Sequence, residues 1–591
     1  MNRNVESHFS MLPSAEISRS RFDRSQDVKF TFNVGDLIPF YVDEVLPGDT
    51  FDVTTSKVVR MQTLLTPVMD NIYLDTYFFF VPNRLVWKHW RELMGENRES
   101  AWLPEAEYSV PQIKLQGSST SDEKYVEVGD ILDYMGIPVG IGTSYTNATK
   151  ENPDPVASVN ALPFRAYQFI FNEWFRDENL TDPVNWSDAD SNTTTGKLYD
   201  DGDNLPLKAA KYHDYFTSCL PAPQKGPQVI CPTSFDSITT IDGVKFNLGW
   251  PVLPRGYYEV DEGVTTFKAF ANSNVNHIPT MLGDIQTSEP VSSRNFARVR
   301  STTGNPELVG SNTFGADADT KALYFNNLFA YPANNSVSGI GLNINDLRYA
   351  FQLQKLYERD ARGGTRYIEI IKAHFNVDSP DARMQRPEYL GGNRIPISIH
   401  QITNQSQGES DFLGDVGAMS LTTDKHSDFV KSFTEHGFVI GLCVARYDHS
   451  YPQGLERMWT RKGRFDYYWP VFANLGEQAV MKSEIYLDPA NLDKVFGYQE
   501  RWAEYRYKPN RVAAEMRPGV TGTLDSWHFA DSYDSIPSLS DSWIREDKTN
   551  VDRCLAVSSA VSNQLFADIY IKNYTTRPMP LYSIPGLIDH H

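Results

Sequence analysis

The sequence is poor in cysteine and has no long apolar run. Its 591 residues include only Cys219, Cys231, Cys443 and Cys554, and no C-x-x-C pair occurs. That excludes a dense disulfide scaffold and the common zinc-finger spacings. Leu442-Cys443-Val444 and Cys554-Leu555 set two of the thiols among apolar neighbours, so they read as buried, reduced cysteines. A Cys219–Cys231 bridge stays open, because spacing alone does not decide pairing. The apolar stretches are too short for a membrane span. The start, M-N-R-N-V-E-S-H-F-S-M-L-P, lacks the apolar region of a signal peptide, so the expectation is a soluble protein made in the cytoplasm. Triplets such as Asn147-Ala-Thr149 then carry no glycosylation argument.

Catalytic and nucleotide motifs are missing as well. Gly140-Ile-Gly142 meets Tyr145 where a third glycine is needed, and Gly339-Ile-Gly341 meets Ile344. There is no G-K-[ST], no G-x-S-x-G and no H-E-x-x-H. Asp188-Ala-Asp190-Ser-Asn192 opens like a calcium loop. Thr193, however, replaces the turn glycine and Tyr199 replaces the bidentate glutamate, so a polar Asx loop is the better reading. His590-His591 reads as a solvated tail. Carboxylates are so abundant that a glycosidase pair is neither indicated nor excluded by counting acids. The expectation is no enzyme, no cofactor and no metal.

What is present is core material. Apolar residues make up 40% and aromatics 13% of the chain, enough for a large buried interior. The net charge is -20, so the body as a whole repels phosphate, and any nucleic-acid contact requires a local basic face.

Residues 1–27 are polar and turn-rich and read as an extended arm. Val28, Phe30 and Phe32 then alternate with polar residues, as do Ile72, Leu74, Thr76, Phe78 and Phe80, the period of a half-buried strand. Phe438, Ile440, Leu442 and Val444 alternate with small residues, as in a strand packed on both faces. Leu565, Ala567, Ile569 and Ile571 give a late strand. Three helices are predicted between these runs. The first spans Asn83–Met94, capped by Asn83 and Gly95, with Val86, Trp90, Leu93 and Met94 on one stripe. The second starts at Pro163, with Tyr167, Ile170, Phe171, Trp174 and Phe175 on one face. The third runs from Asp346 to Arg362 and stops at Gly363-Gly364. Strands near both ends without regular strand–helix alternation disfavour a doubly wound α/β fold and favour a β-sandwich or jelly roll. Composition marks 112–160 and 227–345 as Ser/Thr/Asn/Gly-rich insertions. This divides the chain into the arm 1–27, a first core segment 28–226 with the 112–160 loop, a surface insertion 227–345, and a second core segment with C-terminal arm, 346–591.

Basic residues cluster in three places. Arg3, Arg19, Arg21 and Arg24 lie in the arm. Lys355, Arg359, Arg362 and Arg366 lie in and after the third helix. Arg457, Arg461, Lys462 and Arg464 stand among Trp459, Phe465, Tyr467, Tyr468 and Trp469. Cations beside aromatic faces suit single-stranded nucleic acid. The competing reading is ion pairs and interface contacts, since Glu358, Asp360, Glu456 and Asp466 are adjacent. The candidate nucleic-acid residues are Arg3, Arg19, Arg21, Arg24, Arg457, Arg461, Lys462 and Arg464.

Several strings carry a resemblance. They are T-L-L-T-P-V-M-D-N-I-Y-L-D-T-Y-F-F-F-V-P-N-R-L-V-W from Thr63, L-P-F-R-A-Y-Q-F-I-F-N-E-W-F-R-D from Leu162 and S-C-L-P-A-P-Q-K-G-P from Ser218. E-R-D-A-R-G-G-T-R-Y from Glu358, R-P-E-Y-L-G-G from Arg386, T-E-H-G-F-V-I-G-L from Thr434 and R-P-M-P-L-Y-S-I-P-G-L from Arg577 follow in order. The chain resembles the major capsid proteins of microviruses, most closely the gokushovirus branch. The resemblance implies an eight-stranded antiparallel viral jelly roll with long, partly helical insertions and a surface-protruding subdomain. It also implies sixty copies in an icosahedral shell around circular single-stranded DNA, assembled in the bacterial cytoplasm and resident in the virion. A small basic DNA-binding protein, an internal scaffolding protein and a pilot protein are the implied partners. The insertion 227–345 falls where that branch carries its threefold protrusion, and a host-surface receptor would bind there. The alternative from another class is a carbohydrate-binding or carbohydrate-cleaving β-sandwich, which the absence of a signal peptide disfavours.

Overall fold

A computed structural model describes residues 18–96, 108–115, 126–139, 157–190, 204–227, 229, 385–405 and 413–582, with the strand and helix segments between 256 and 375. The chain divides into two compact units, Met1–Pro227 with Leu356–His591, and Gln228–Lys355. The described residues are mainly β, in antiparallel sheets with few helices. Arg3, Cys231, Arg366, Gly363-Gly364, His590-His591 and much of 112–160 lie outside the described residues.

Nine strands build the body of the first unit. They are β1 (Ser20–Asp23), β2 (Gln26–Phe32), β3 (Ile38–Val45), β4 (Thr50–Met61), β5 (Ile72–Pro82), β6 (Glu388–Pro396), β7 (Thr422–Ser432), β8 (Gly437–Tyr447) and β9 (Leu565–Arg577). In one sheet, β1 and β2 pair in succession with β9, which pairs with β4, which pairs with β7. The other has the order β6, β5, β8, β3. Chain neighbours from β2 to β9 therefore alternate between sheets, except that β5 and β6 lie side by side.

The alternation predicted from sequence sets the first sheet. Phe51, Val53, Val59 and Met61 of β4, with Leu565, Ala567, Ile569 and Ile571 of β9, point into the core between the sheets. Phe566 and Tyr570 stay exposed on the other face. Lys57 breaks the pattern. Its side chain is buried, with the ammonium 3.4 Å from Asp424, as a buried cation requires.

The second sheet is buried on both faces along β8. Val439, Cys443, Ala445 and Tyr447 of β8 join the core between the sheets. Phe438, Ile440, Leu442 and Val444 join a second core against the helix Leu162–Ile170 and neighbouring loops. Burying so many large side chains in one layer needs a close approach, and Gly441 permits it. A Cβ there would lie 2.9 Å from both the Phe78 ring and Tyr41 Cβ. In the helix, Pro163 occupies the first turn, and Tyr167 donates its hydroxyl to Leu37 O at 2.8 Å. The helix then widens into a π-turn, Phe171–Phe175, which leaves Trp174 partly exposed.

The helix expected over Asn83–Met94 is two short turns, Asn83–Val86 and Trp90–Leu93, and Asn83 is not a side-chain cap. Trp87 is extended between them. Tertiary hydrogen bonds account for the break: Lys88 N–H donates to Asp188 O at 3.1 Å and Trp87 Nε1 to Asp190 at 2.7 Å. These bonds outweigh the weak preference of a short helix to continue. Gly95, with φ +96°, ends the second turn as expected. The third helix spans Ile344–Arg362. The second unit holds a six-stranded antiparallel sheet built from Gly256–Asp261, Val264–Ala269, Gln286–Thr287, Phe296–Arg300, Glu307–Ser311 and Ala322–Leu323.

Between β8 and β9 the chain leaves the sandwich. Residues 448–564 form 3₁₀ turns, two short helices and the hairpin Glu477–Met481/Val495–Glu500. They pack on a third core that includes Phe216, Tyr451, Val480, Phe496 and Trp543. Cys219, Cys443 and Cys554 are free and buried, and burial pushes all three thiols up.

Candidate nucleic-acid interface

The 448–564 segment, which carries the second basic–aromatic cluster, is pinned to the end of β8 by a buried imidazole. His449 Nδ1 lies 2.9 Å from Asp531 and Nε2 lies 2.9 Å from Glu546. With carboxylates on both nitrogens, the ring is a double donor and therefore an imidazolium. Burial alone would lower its pKa, but the attraction of Asp531 and Glu546 prevails and raises it to about 10. Burial likewise opposes ionised Asp531, yet His449 and Lys211 hold that carboxyl down at about 2. Around the pair stand Lys211 at 4.0 Å from Asp531, Tyr533 donating to Asp531 at 2.8 Å, Asn550 donating to it at 2.6 Å, and the Tyr447 ring 4.5 Å from the imidazole. No sequence spacing announces this cluster. Its members come together only because the segment folds back on β8.

The cluster at 457–475 is ordered from beneath. Trp502, buried with φ +66°, donates its indole N–H to Phe472 O at 3.2 Å. A left-handed tryptophan costs on the order of 1–3 kcal/mol, so the surrounding contacts must hold it there. The Tyr505 hydroxyl accepts from Arg461 at 2.6 Å and from Tyr468 N–H at 3.2 Å. Trp469 Nε1 donates to Arg464 O at 3.1 Å. Asp466 accepts from the backbone N–H groups of Lys462 and Gly463, and these bonds lower its pKa. Phe465, Tyr468 and Trp469 are therefore held by ring and hydrogen-bond contacts while their side chains stay exposed.

The basic residues differ in what already holds them. Arg457 donates to Ala479 O at 2.8 Å and lies 3.4 Å from Glu484. Burial raises the pKa of Glu484, and Arg457 works against that rise. Arg461 lies 3.3 Å from Glu504, with its guanidinium 4.2 Å from the Tyr505 ring centre. Lys462 is exposed, and Arg464 is exposed 4.7 Å from the Trp469 ring. A cleft of about 530 Å³ beside the segment is lined by Arg457, Trp459, Tyr507 and Arg511, but also by Glu456 and Glu504. In the arm, Arg24 forks onto Asp43 at 2.7 and 2.5 Å, in a network with Tyr41 and Asn573. Arg21 lies over the Tyr574 ring at 4.2 Å and 3.7 Å from half-buried Asp52. Arg19 donates to Gly48 O. In the helix cluster, Arg362 pairs with Glu477 and lies 3.4 Å from Glu500. Arg24, Arg457, Arg461 and Arg362 are thus committed to internal carboxylates, and Arg19, Arg21, Lys462 and Arg464 present their charge outward.

Asp190 of the calcium-like string accepts from Trp87 and His89, both at 2.7 Å. Burial works to raise its pKa, but these two bonds hold it lowered. It clamps the broken helix. Among the described residues no group of three or more His, Cys, Asp or Glu could hold a metal ion. Among the described residues no helix is long and apolar enough to cross a membrane.

An antiparallel β body with ordered, exposed aromatic side chains suits a building block. Residues 10–587 match the capsid protein (F protein) family, and the chain belongs to it. It is 38% identical to the capsid protein VP1 of Chlamydia phage 1, over 99% of this chain and 98% of that one. It is 35% identical to VP1 of Bdellovibrio phage phiMH2K over 99% and 98% of the two chains, and 36% identical to VP1 of Spiroplasma virus 4 over 98% and 97%. The protein is a structural capsid component of the microvirus type and not an enzyme.

Replacing His449 with Phe is expected to remove about 3–5 kcal/mol of stability, because two buried carboxylates lose their shared cation. In the wild type, a histidine pKa raised from an unfolded value near 6.5 to about 10 gives stability that is complete below pH 6.5 and lost towards pH 10. Asp531, held at about 2, contributes above about pH 4, and that contribution is lost as pH falls towards 2. Urea unfolding from pH 6 to 10 should show a falling midpoint for the wild type and a flatter profile for the variant.

Proposed function

We propose that this protein builds a small icosahedral shell of sixty copies that encloses circular single-stranded DNA, with the two-sheet body serving as an eight-stranded jelly roll. The observation that carries the reading is a whole-length kinship with capsid proteins, joined to the strand orders β2–β9–β4–β7 and β6–β5–β8–β3. Strands that alternate between two four-stranded antiparallel sheets are what a jelly roll requires. Heterologous contacts repeated around closed symmetry axes would complete the shell. Assembly would take place in the bacterial cytoplasm with an internal scaffolding protein, a pilot protein and a small basic DNA-binding protein.

The arm is the better candidate for DNA contact. Arg3, Arg19 and Arg21 would meet phosphate, while Arg24 fastens the arm through Asp43. The insertion 227–345 would form the protrusion that binds a host-surface receptor. Supporting this is the compactness of Gln228–Lys355 as a unit of its own.

Co-expressed with its scaffolding protein, the wild type should give closed shells in negative-stain microscopy that protect single-stranded DNA from nuclease; a chain that stays monomeric in all such conditions contradicts the role. Arg19→Gln with Arg21→Gln should lower DNA per particle at unchanged shell yield, read from the ratio of absorbance at 260 and 280 nm. Excising 228–345 should spare assembly and abolish adsorption to host cells, and unchanged adsorption refutes the receptor assignment.

A further inference from the structure

We infer that the shoulder formed by residues 457–475 is a contact surface for a second copy of this chain, an inference that rests on the shell-building role proposed above. Four apolar side chains here face solvent in the single chain: Trp459 is 65% exposed, Phe465 67%, Val471 85% and Leu475 56%. Scattered exposed apolar residues are ordinary, but so many on one short ordered segment, where Met458, Tyr467, Tyr468 and Trp469 are exposed as well, mark an interaction site. The order comes from the anchors beneath, Trp502 on Phe472 O and Tyr505 under Arg461 and Tyr468. A surface fixed in advance loses little conformational freedom on docking, which favours association.

The chemistry selects protein over nucleic acid. Val471 and Leu475 offer no aromatic face for a base. Arg457 and Arg461, which could pair with phosphate, already hold Glu484 and Glu504. Asp466 is the only acid among residues 457–475, and its carboxylate is committed to two backbone N–H groups. Rich in Trp, Tyr, Phe and Arg and depleted in acids, the segment has the composition of an interface centre. The occupant follows from charge and kinship. A capsid protein's obligatory partner is itself, and each copy carries a net charge of -20. Such bodies repel unless a contact is locally apolar and cationic on one side. The shoulder is both, with Lys462 and Arg464 facing outward to meet an acidic surface of the neighbour. Contacts in a closed ring are heterologous, so the surface need not complement itself.

Hydroxyl-radical footprinting of the full-length wild type tests this. Oxidation of Trp459 and Phe465 should fall at least fivefold from dissociated protein to particles, in DNA-free and DNA-filled shells alike. Protection confined to DNA-filled shells makes the shoulder a nucleic-acid surface and overturns the inference, as does equal labelling in all three states. Val471→Asp, at a position open to solvent in the single chain, should keep wild-type circular dichroism and melting yet lower particle yield at least tenfold; wild-type yield from this variant also overturns it. Particles with an unprotected shoulder sink this inference alone, whereas a wild type that never forms particles sinks the shell role itself.

Discussion

The second sheet has a central strand with no solvent face, and the rest of the molecule is arranged around that constraint. Its strand β8 buries Val439, Cys443, Ala445 and Tyr447 on one side and Phe438, Ile440, Leu442 and Val444 on the other. Each large side chain removed from water contributes roughly 1.5–3 kcal/mol before the conformational entropy of ordering is set against it. The inner face is covered by the other sheet. The outer face needs its own cover, and the chain between β5 and β6 supplies it. Leu162–Ile170 lies there with Phe164, Tyr167 and Ile170 buried, and Trp87 joins from the broken helix. Insertions in this protein are therefore partly structural.

The long excursion between β8 and β9 meets a different constraint. It has few strands of its own, so buried polar groups do more of the holding. The imidazolium of His449 between Asp531 and Glu546 ties the excursion's beginning to its later part. Desolvated charges rarely add net stability over an apolar core of the same shape, but breaking such a set is severe. The arrangement specifies where the excursion sits, and that fixes the aromatic shoulder. Ordering and exposure together distinguish this shoulder from a frayed loop.

Much of the body was legible from sequence because a strand with one wet face writes period two into the chain. Val28, Phe30 and Phe32, and Leu565 to Ile571, read directly as strands. So did β8, whose apolar residues sit on both faces. The helix from Pro163 was legible from its start and its stripe, although its final turn widens to π. The break at Trp87 was not, because it depends on Asp188 and Asp190, about a hundred residues away. Sheet order was hidden for the same reason, since pairing partners such as β2 and β9 are separated by most of the chain. At the candidate site, the sequence located the cations and aromatics of 457–464 but not their charge balance. Glu484 and Glu504 approach only through the fold, and they decide that Arg457 and Arg461 are not the residues facing outward.

A closed shell of a defined number of copies has a defined mass, and weighing a DNA-free particle measures that number. Sixty copies of a 67.1 kDa chain amount to about 4.0 MDa. Charge-detection mass spectrometry of shells made from this chain alone or with its scaffold removed should give one sharp population at that mass. A broad ladder of open aggregates, or a discrete shell at another multiple of the chain mass, would contradict it.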